Sequence, residues 1–252
     1  MNISDIQECA KYFEKTYLKT FYIITTFSGK SFILVGEKKN FPHLMGISKN
    51  IYNSNGYRNP ANLYSDILNG NTVSRRIIPN NIATTSKMYK KAINFCDSDN
   101  IFWKNSGPLA INYNEALSTT KLSSVSIILV DIELGYMLGW VENTELKINA
   151  EINLKKYCIS SWIDESNGTD VQKGKYMPLQ DIDLIKTVLS FDEKSQLIRQ
   201  KVYSYSKNKK IEILKVIELH KSNLLLDTRN QGYYIDLAKE NNIKCKINGI
   251  QY

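Results

Sequence analysis

The sequence contains few of the residues on which common catalytic and metal-binding motifs depend. Only two histidines occur among its 252 residues, and its four cysteines are widely separated and form no Cys-x-x-Cys pair. The chain also lacks the motifs Gly-x-x-x-x-Gly-Lys-Ser/Thr, Gly-x-Gly-x-x-Gly, His-Glu-x-x-His and Gly-x-Ser-x-Gly. These absences disfavour a zinc ribbon, a P-loop nucleotide hydrolase, a Rossmann domain, a zinc protease and an α/β-hydrolase.

Signals for export and for membrane insertion are also missing. No charged leader followed by an apolar core opens the chain. The longest apolar run, Val125 to Val130, is far shorter than the roughly 20 residues that a membrane helix needs. The cysteine spacing does not resemble a secreted disulfide framework. We therefore expect a cytoplasmic protein without a membrane partner, and its abundant asparagine, lysine, isoleucine and tyrosine, typical of AT-rich coding sequences, indicate a bacterial host cell.

Positive charge is in excess, with 33 lysines and arginines against 25 acidic residues and a formal net charge of +8. This balance favours RNA or another polyanion as a partner without identifying one. Most of the excess lies between Lys194 and Lys221, where Tyr203 and Tyr205 stand among the basic residues and are suited to base stacking. The alternative is a solvated helix face with both tyrosines packed inward. The predicted nucleic-acid contacts in this segment are Lys207, Lys209 and Lys210.

Hydrophobic periodicity predicts an α+β fold. Ser4 is placed to cap an amphipathic helix whose apolar series is Ile6, Cys9, Ala10, Phe13 and Tyr17. Further predicted elements are a hairpin of Phe21–Phe27 and Ser31–Glu37, a helix at Thr84–Asp97, a hairpin of Val125–Val130 and Gly135–Val141, and a strand at Tyr157–Ile163. Because the strands arrive as adjacent hairpins, we expect N-terminal helices packed on an antiparallel sheet. We predict this domain at residues 1–190, followed by a basic C-terminal extension at residues 191–252.

One of the two histidines lies in a distinctive apolar setting. His43 follows the first predicted hairpin within Asn40–Ile47, whereas His220 lies in the lysine-rich segment. Histidine is the side chain whose unperturbed pKa lies nearest physiological pH, so His43 is the first candidate for acid–base catalysis. The alternative is a partly buried structural histidine whose ring binds a backbone carbonyl.

Short motifs carry a resemblance to a known group of enzymes. A helix and a hairpin are followed by Asn-Phe-x-His-Leu-x-Gly at Asn40–Gly46, and a basic amphipathic helix follows at Lys87–Asp97. A serine-aromatic strand at Tyr157–Ile163 and a Tyr-x-x-x-Gln element at Tyr176–Gln180 complete the set. Over residues 4–190 the chain resembles the phage and mobile-element branch of the barnase, EndoU, colicin and RelE-like nuclease superfamily. The resemblance implies a nuclease-like α+β domain.

A metal-independent ribonuclease needs a base for the ribose 2′-hydroxyl, cations for the charged phosphorane and an acid for the leaving group. His43 is the predicted acid or base. Lys38, or its neighbour Lys39, is predicted to face the phosphate, and Lys91, or Lys87, is predicted to supply further charge from the second helix. The resemblance alone implies that Ser161 and Tyr176 are hydrogen-bond partners of the phosphate or the leaving group. No cofactor and no metal ligand is assigned.

Three other lysines are predicted to contact nucleic acid, namely Lys39, Lys87 and Lys90. The chain departs from the pattern expected for this group at one point, because Lys90 and Lys91 stand where an arginine is expected. Lysine is a point charge without the guanidinium fork, so bidentate phosphate binding is not expected there.

Two other functions stay open at this stage. A metal-dependent nuclease would require Mg²⁺ at one of the acidic pairs Asp131/Glu133, Asp164/Glu165 or Asp181/Asp183. The second is a phage accessory factor, an inhibitor or antidefence protein that binds nucleic acid or a protein on a nuclease-like scaffold. Its protein partner would be an immunity, host-defence or effector protein. The missing arginine and the isolated histidine are both compatible with a site that does not cut.

Overall fold

An amphipathic helix begins the described part of the chain. The computed structural model describes residues 3–71, 91–104, 107–118, 122–145, 153–169, 173–204, 206, 231–244, 246–247 and 250–251. Helix α1 spans Ile3–Phe13 and continues into a π-helical turn at Glu14–Leu18. The predicted apolar series of this helix is confirmed, because all five of its members are buried: Ile6, Cys9, Ala10, Phe13 and Tyr17.

The strands and the remaining helices follow in a fixed order. The eight strands of the main sheet are β1 Thr20–Thr26, β2 Ser31–Val35, β3 Leu109–Asn112, β4 Ile127–Asp131, β5 Tyr136–Glu142, β6 Lys155–Asp164, β7 Asp181–Asp192 and β8 Leu197–Val202. In the part of the chain that the structure describes, α1 is followed by the α-helices α2 Phe41–Leu44, α3 Lys49–Ser54, α4 Pro60–Leu68, α5 Asn100–Trp103 and α6 Gln231–Glu240. A separate two-stranded sheet joins β9 Lys246–Ile247 to β10 Ile250–Gln251. Within the described ranges, no helix is long and apolar enough to cross a membrane.

The long strand β7 closes the main sheet into a barrel. One edge of β7 pairs with β1 along residues 185–192, and its other edge pairs with β3 along residues 181–184. The seven strands β1, β2, β6, β5, β4, β3 and β7 therefore form a closed ring. Strand β8 pairs with the remaining part of β7 and lies outside that ring.

The prediction of an antiparallel sheet was wrong, because the sheet is mixed. Both predicted hairpins, β1–β2 and β4–β5, are antiparallel as expected. Strands β2 and β6, however, pair in parallel from Phe32 opposite Lys155 to Val35 opposite Cys158. A parallel pair needs a long crossover, and here more than a hundred residues separate the two strands, so hairpin patterns do not reveal it.

The C-terminal part of the chain also differs from the expectation. Strand β7 continues through residue 190, and β8 adds a further strand to the sheet at Leu197–Val202. The basic extension is not confirmed, because residues 205 and 207–230 lie outside the described part of the chain. The division at residue 190 stays a prediction.

One face of every barrel strand shares a single apolar core with α1, α2, α4 and α5, which we name the inner core. A β-bulge in β6 shapes this core. Gly139 pairs with Ser161, and its neighbour Trp140 pairs with Ile159, so Ser160 is the extra residue. The bulge lets Ile159 and Trp162 both point into the inner core and turns Ser161 to the opposite face.

That opposite face carries a second apolar group, which we name the outer cluster. Its buried members are Leu109, Ile111, Tyr113, Val125, Ile128, Val130, Met137, Tyr176, Met177 and Leu184. The outer cluster covers β3, β4 and β5 with the 173–177 turn. Both faces of this part of the sheet are therefore packed.

Two turn glycines have similar backbone conformations but different surroundings. Gly135 in the β4–β5 turn has φ +72°, and a Cβ there would lie 2.7 Å from the backbone of Glu165. Gly29 in the β1–β2 turn has φ +88°, and a Cβ there would meet nothing within 4 Å.

We expect Gly29→Ala to lower the free energy of unfolding by about 1–2 kcal/mol, the ordinary penalty for an L-residue at positive φ. Gly135→Ala should lower it by about 1–3 kcal/mol more, because the added methyl group overlaps backbone that has no free rotamer. Urea unfolding of both variants measures the difference. Equal losses would mean that the β4–β5 turn does not pack against the Glu165 backbone.

Candidate functional site

The histidine motif forms a short helix that the rest of the motif fastens to the barrel. A 3₁₀ turn at Lys38–Asn40 runs into α2. Phe41 and Leu44 are fully buried in the inner core, and the Asn40 side-chain amide donates to the Ile159 carbonyl of β6 at 2.8 Å. Gly46 ends the segment at φ +74°, a conformation that glycine adopts without a steric penalty. Each of these residues therefore has a structural role.

His43 is the exposed residue of α2, between the buried Pro42 and the buried Leu44. The side chain is therefore accessible to solvent, and its role as an acid or base stays a prediction. Because its neighbours are packed or hydrogen-bonded, the backbone that carries His43 is held in place. A side chain on a rigid backbone is the arrangement that acid–base catalysis requires.

The two lysines before α2 differ in their surroundings. Lys38 and Lys39 are both exposed, but Lys39 forms an ion pair with Glu37 at 3.1 Å. The Glu37 carboxylate also accepts a hydrogen bond from the Cys158 thiol at 3.0 Å. Burial, together with this carboxylate, raises the pKa of Cys158 to about 12, so the thiol stays protonated and is a donor and not a nucleophile.

A shallow depression of about 530 Å³ lies beside these lysines. Its basic residues are Lys19, Lys38 and Lys39, and its acidic residues are Glu14, Glu37 and Glu193. Lys19 is paired with Glu14 at 3.3 Å, as Lys39 is with Glu37. Lys38 is therefore the best-placed cation for a phosphate on this surface, and the depression as a whole is balanced in charge.

The other predicted catalytic residues lie in different environments. The Lys91 carbonyl accepts a hydrogen bond from the Trp162 indole at 3.0 Å, which docks this segment against β6. Ser161 is 8% exposed, beside Gly139 and Val125, and Tyr176 is 3% exposed in the outer cluster. The structure therefore does not present Ser161, Tyr176 and His43 on one accessible surface.

The Tyr-x-x-x-Gln element has a clear structural role. The buried Gln180 side chain accepts a hydrogen bond from the backbone N–H of Asn114 at 2.8 Å. Its amide group donates to the backbone carbonyls of Asn114 and Leu117. It thereby holds the connection that follows β3. Burial raises the pKa of Tyr176, whose ring packs edge-on against Tyr113, so its hydroxyl stays protonated.

Several predicted residues fall outside the described part of the chain: Lys87, Lys90, Lys207, Lys209, Lys210 and His220. Among the residues that are described, no group of three or more histidine, cysteine, aspartate and glutamate side chains is arranged to hold a metal ion. The acidic pairs serve turns instead. Asp131 accepts from the Leu134 N–H, Asp164 from the Ser166 N–H and Asp183 from the Ser28 N–H.

The anchoring of α2 is testable by stability. We expect Asn40→Ala to lower the free energy of unfolding by about 1–2 kcal/mol, because it removes the hydrogen bond to the Ile159 carbonyl. We expect His43→Ala to change it by less than about 0.5 kcal/mol, because the side chain is exposed. Urea unfolding compares the two variants. A loss in His43→Ala as large as that in Asn40→Ala would show that His43 is a structural residue.

Comparison with known proteins agrees with this geometry. A family described as "phage-Barnase-EndoU-ColicinE5/D-RelE like nuclease4" matches residues 5–177. No curated protein and no solved structure matches the chain. The matched range contains most of α1, the anchored histidine helix and the strands β1 to β6. The chain belongs to the family of phage-Barnase-EndoU-ColicinE5/D-RelE like nucleases of type 4.

Proposed function

We propose that this protein is a ribonuclease that cleaves RNA without a divalent metal, by attack of the ribose 2′-hydroxyl on the adjacent phosphodiester. His43 is the general acid or base. The observation that carries the proposal is the division of roles in Asn40–Gly46, where Asn40, Phe41, Leu44 and Gly46 fasten the segment and His43 alone among the motif residues faces solvent. Membership of a nuclease family supports a nuclease activity.

The remaining groups enter the proposal according to their exposure. Lys38, exposed and five residues before His43, contributes positive charge to the phosphorane, where fixed cations stabilise the transition state. Lys91, which lies in the segment docked against β6 by the Trp162 indole, adds positive charge. Ser161 and Tyr176 stay hydrogen-bond partners by resemblance only, because both side chains are buried.

The net charge of +8 supports a polyanionic substrate in the cytoplasm of a bacterial host. In this proposal Lys39, Lys87, Lys90, Lys207, Lys209 and Lys210 contribute affinity for the phosphate backbone. They are not assigned a chemical step. The reaction takes no cofactor.

Cleavage of a single-stranded RNA by the purified protein in EDTA tests the proposal. We expect His43→Gln to lower the single-turnover rate by at least about 10²-fold, the contribution of a positioned acid or base. His220→Gln is the matched control, since His220 is the other histidine of the chain, and its rate should equal that of the wild type. A DNA strand of the same sequence should stay intact, because it lacks the 2′-hydroxyl.

Unchanged cleavage by His43→Gln would remove His43 from the mechanism. Salt-sensitive RNA binding without cleavage by the wild type would instead favour the non-catalytic accessory factor. Equal cleavage of RNA and DNA would contradict 2′-hydroxyl attack.

A further inference from the structure

We propose that the open end of the barrel is a pocket that binds one unpaired nucleobase of the RNA, an inference that deepens the ribonuclease proposal and rests on it. The pocket is a cavity of about 340 Å³. It is formed where β1 and β3 end and where β2, β4, β6 and β7 begin, and we name this end the barrel mouth. Neither His43 nor Lys38 lines it.

The floor of the barrel mouth is apolar and aromatic. Six of its lining residues are buried, namely Thr26, Phe32, Ala110, Ile111, Ile127 and Tyr157. The rings of Phe32 and Tyr157 contact each other edge-on with centroids 5.9 Å apart. Aromatic side chains are the surfaces on which unpaired bases stack, and such stacking tolerates any base sequence. The volume lies at the lower end of the range of small-ligand pockets, roughly 300–1,000 Å³. The pocket therefore has room for one nucleotide and not for an RNA duplex.

Two polar side chains of this site are placed to contact a base. Asn112 is exposed at the end of β3, and Tyr157 is 6% exposed at the pocket floor. Burial, with the Glu142 carboxylate nearby, raises the pKa of Tyr157, so its hydroxyl is a donor at neutral pH. A base edge presents both donors and acceptors, which an amide and a hydroxyl match.

The rim of the barrel mouth carries lysines that a phosphate can reach. Lys30 is paired with Asp181 at 3.3 Å and Lys155 with Glu142 at 3.2 Å, and both lysines are more than half exposed. Ion pairs this exposed are weak, so a phosphate competes with the carboxylates for the ammonium groups. With Asp183 also in the lining, the barrel mouth has no excess of positive charge and binds a nucleotide mainly through its base.

The barrel mouth is held in shape by Asp183. Its carboxylate accepts hydrogen bonds from the Ser28 backbone N–H and hydroxyl and from the Leu184 N–H, which ties the β1–β2 turn to β7. Burial alone would raise the pKa of Asp183, but these hydrogen bonds outweigh burial and hold it below its usual value. The carboxylate stays charged at neutral pH, and the pocket is preformed.

Strand β6 connects the barrel mouth to the histidine helix. Tyr157 lies in the pocket, and the carbonyl of Ile159, two residues later, anchors Asn40. At about 3.3 Å per residue these two points lie about 7 Å apart along the strand. Two residues of β6 therefore separate the barrel mouth from the point at which the histidine helix is attached.

Calorimetric titration with AMP, CMP, GMP and UMP, with ribose 5-phosphate as the probe without a base, tests the proposal. At least one mononucleotide should bind about tenfold more tightly than ribose 5-phosphate, because stacking needs the base. Tyr157→Phe and Asn112→Ala should each weaken binding about fivefold, the effect of one lost hydrogen bond. Ala110→Leu, which fills the floor, should weaken it about tenfold or more. The matched control is Asn50→Ala, an exposed asparagine of α3.

Binding of ribose 5-phosphate as tight as that of every mononucleotide, or no mononucleotide binding at all, would overturn the pocket. Unchanged affinity in Ala110→Leu would also overturn it. If that variant does not fold, unchanged affinity in both Tyr157→Phe and Asn112→Ala has the same meaning. The binding measurement is independent of the cleavage assay. Nucleotide binding without RNA cleavage would contradict the ribonuclease proposal and leave the pocket proposal standing. RNA cleavage without nucleotide binding would contradict the pocket proposal and leave the ribonuclease proposal standing.

Discussion

The rest of the structure depends on the two-sided pairing of one strand, β7. One edge of β7 pairs with β1. The other edge pairs with β3 along its first residues and with β8 along its later ones, and the pairings with β1 and β3 close the sheet. Closure satisfies the backbone groups of the seven barrel strands and gives the barrel an inside and an outside. The inner face of the strands packs against α1, α2, α4 and α5 in the inner core. The ends of six strands surround the barrel mouth. The barrel mouth therefore depends directly on this closure.

Sequence patterns predicted the local elements and missed the long-range pairing. The apolar series of α1 and the hairpins β1–β2 and β4–β5 are local, so their spacing was sufficient. The parallel β2–β6 pair and the closing strand β7 involve partners far apart in sequence, and no local pattern encodes them. Strand β7 was also obscured by its polar residues, which belong to turns and to the barrel mouth. The fold class was predictable, and its topology was not.

The candidate site shows the same limit. The motif around His43 was visible because an exposed histidine is framed by apolar residues in a short stretch. The structural role of its neighbours could not be predicted from the sequence, because Asn40 donates a hydrogen bond to the Ile159 carbonyl, more than a hundred residues later. Gln180 was part of the Tyr-x-x-x-Gln element that carried the family resemblance. In the structure its side chain holds the connection after β3 by hydrogen bonds. The barrel mouth gathers one to three residues from each of six strands and could not be derived from spacing.

In the proposed mechanism His43 is the general acid or base, and the nucleophile is the 2′-hydroxyl of the RNA itself. The most direct measurement uses an RNA oligonucleotide whose cleavage position has been mapped, with one 2′-deoxynucleotide placed on the 5′ side of that position. The account predicts that the wild-type protein no longer cuts there and still binds the oligonucleotide. Cleavage at the deoxy position at the original rate would contradict it.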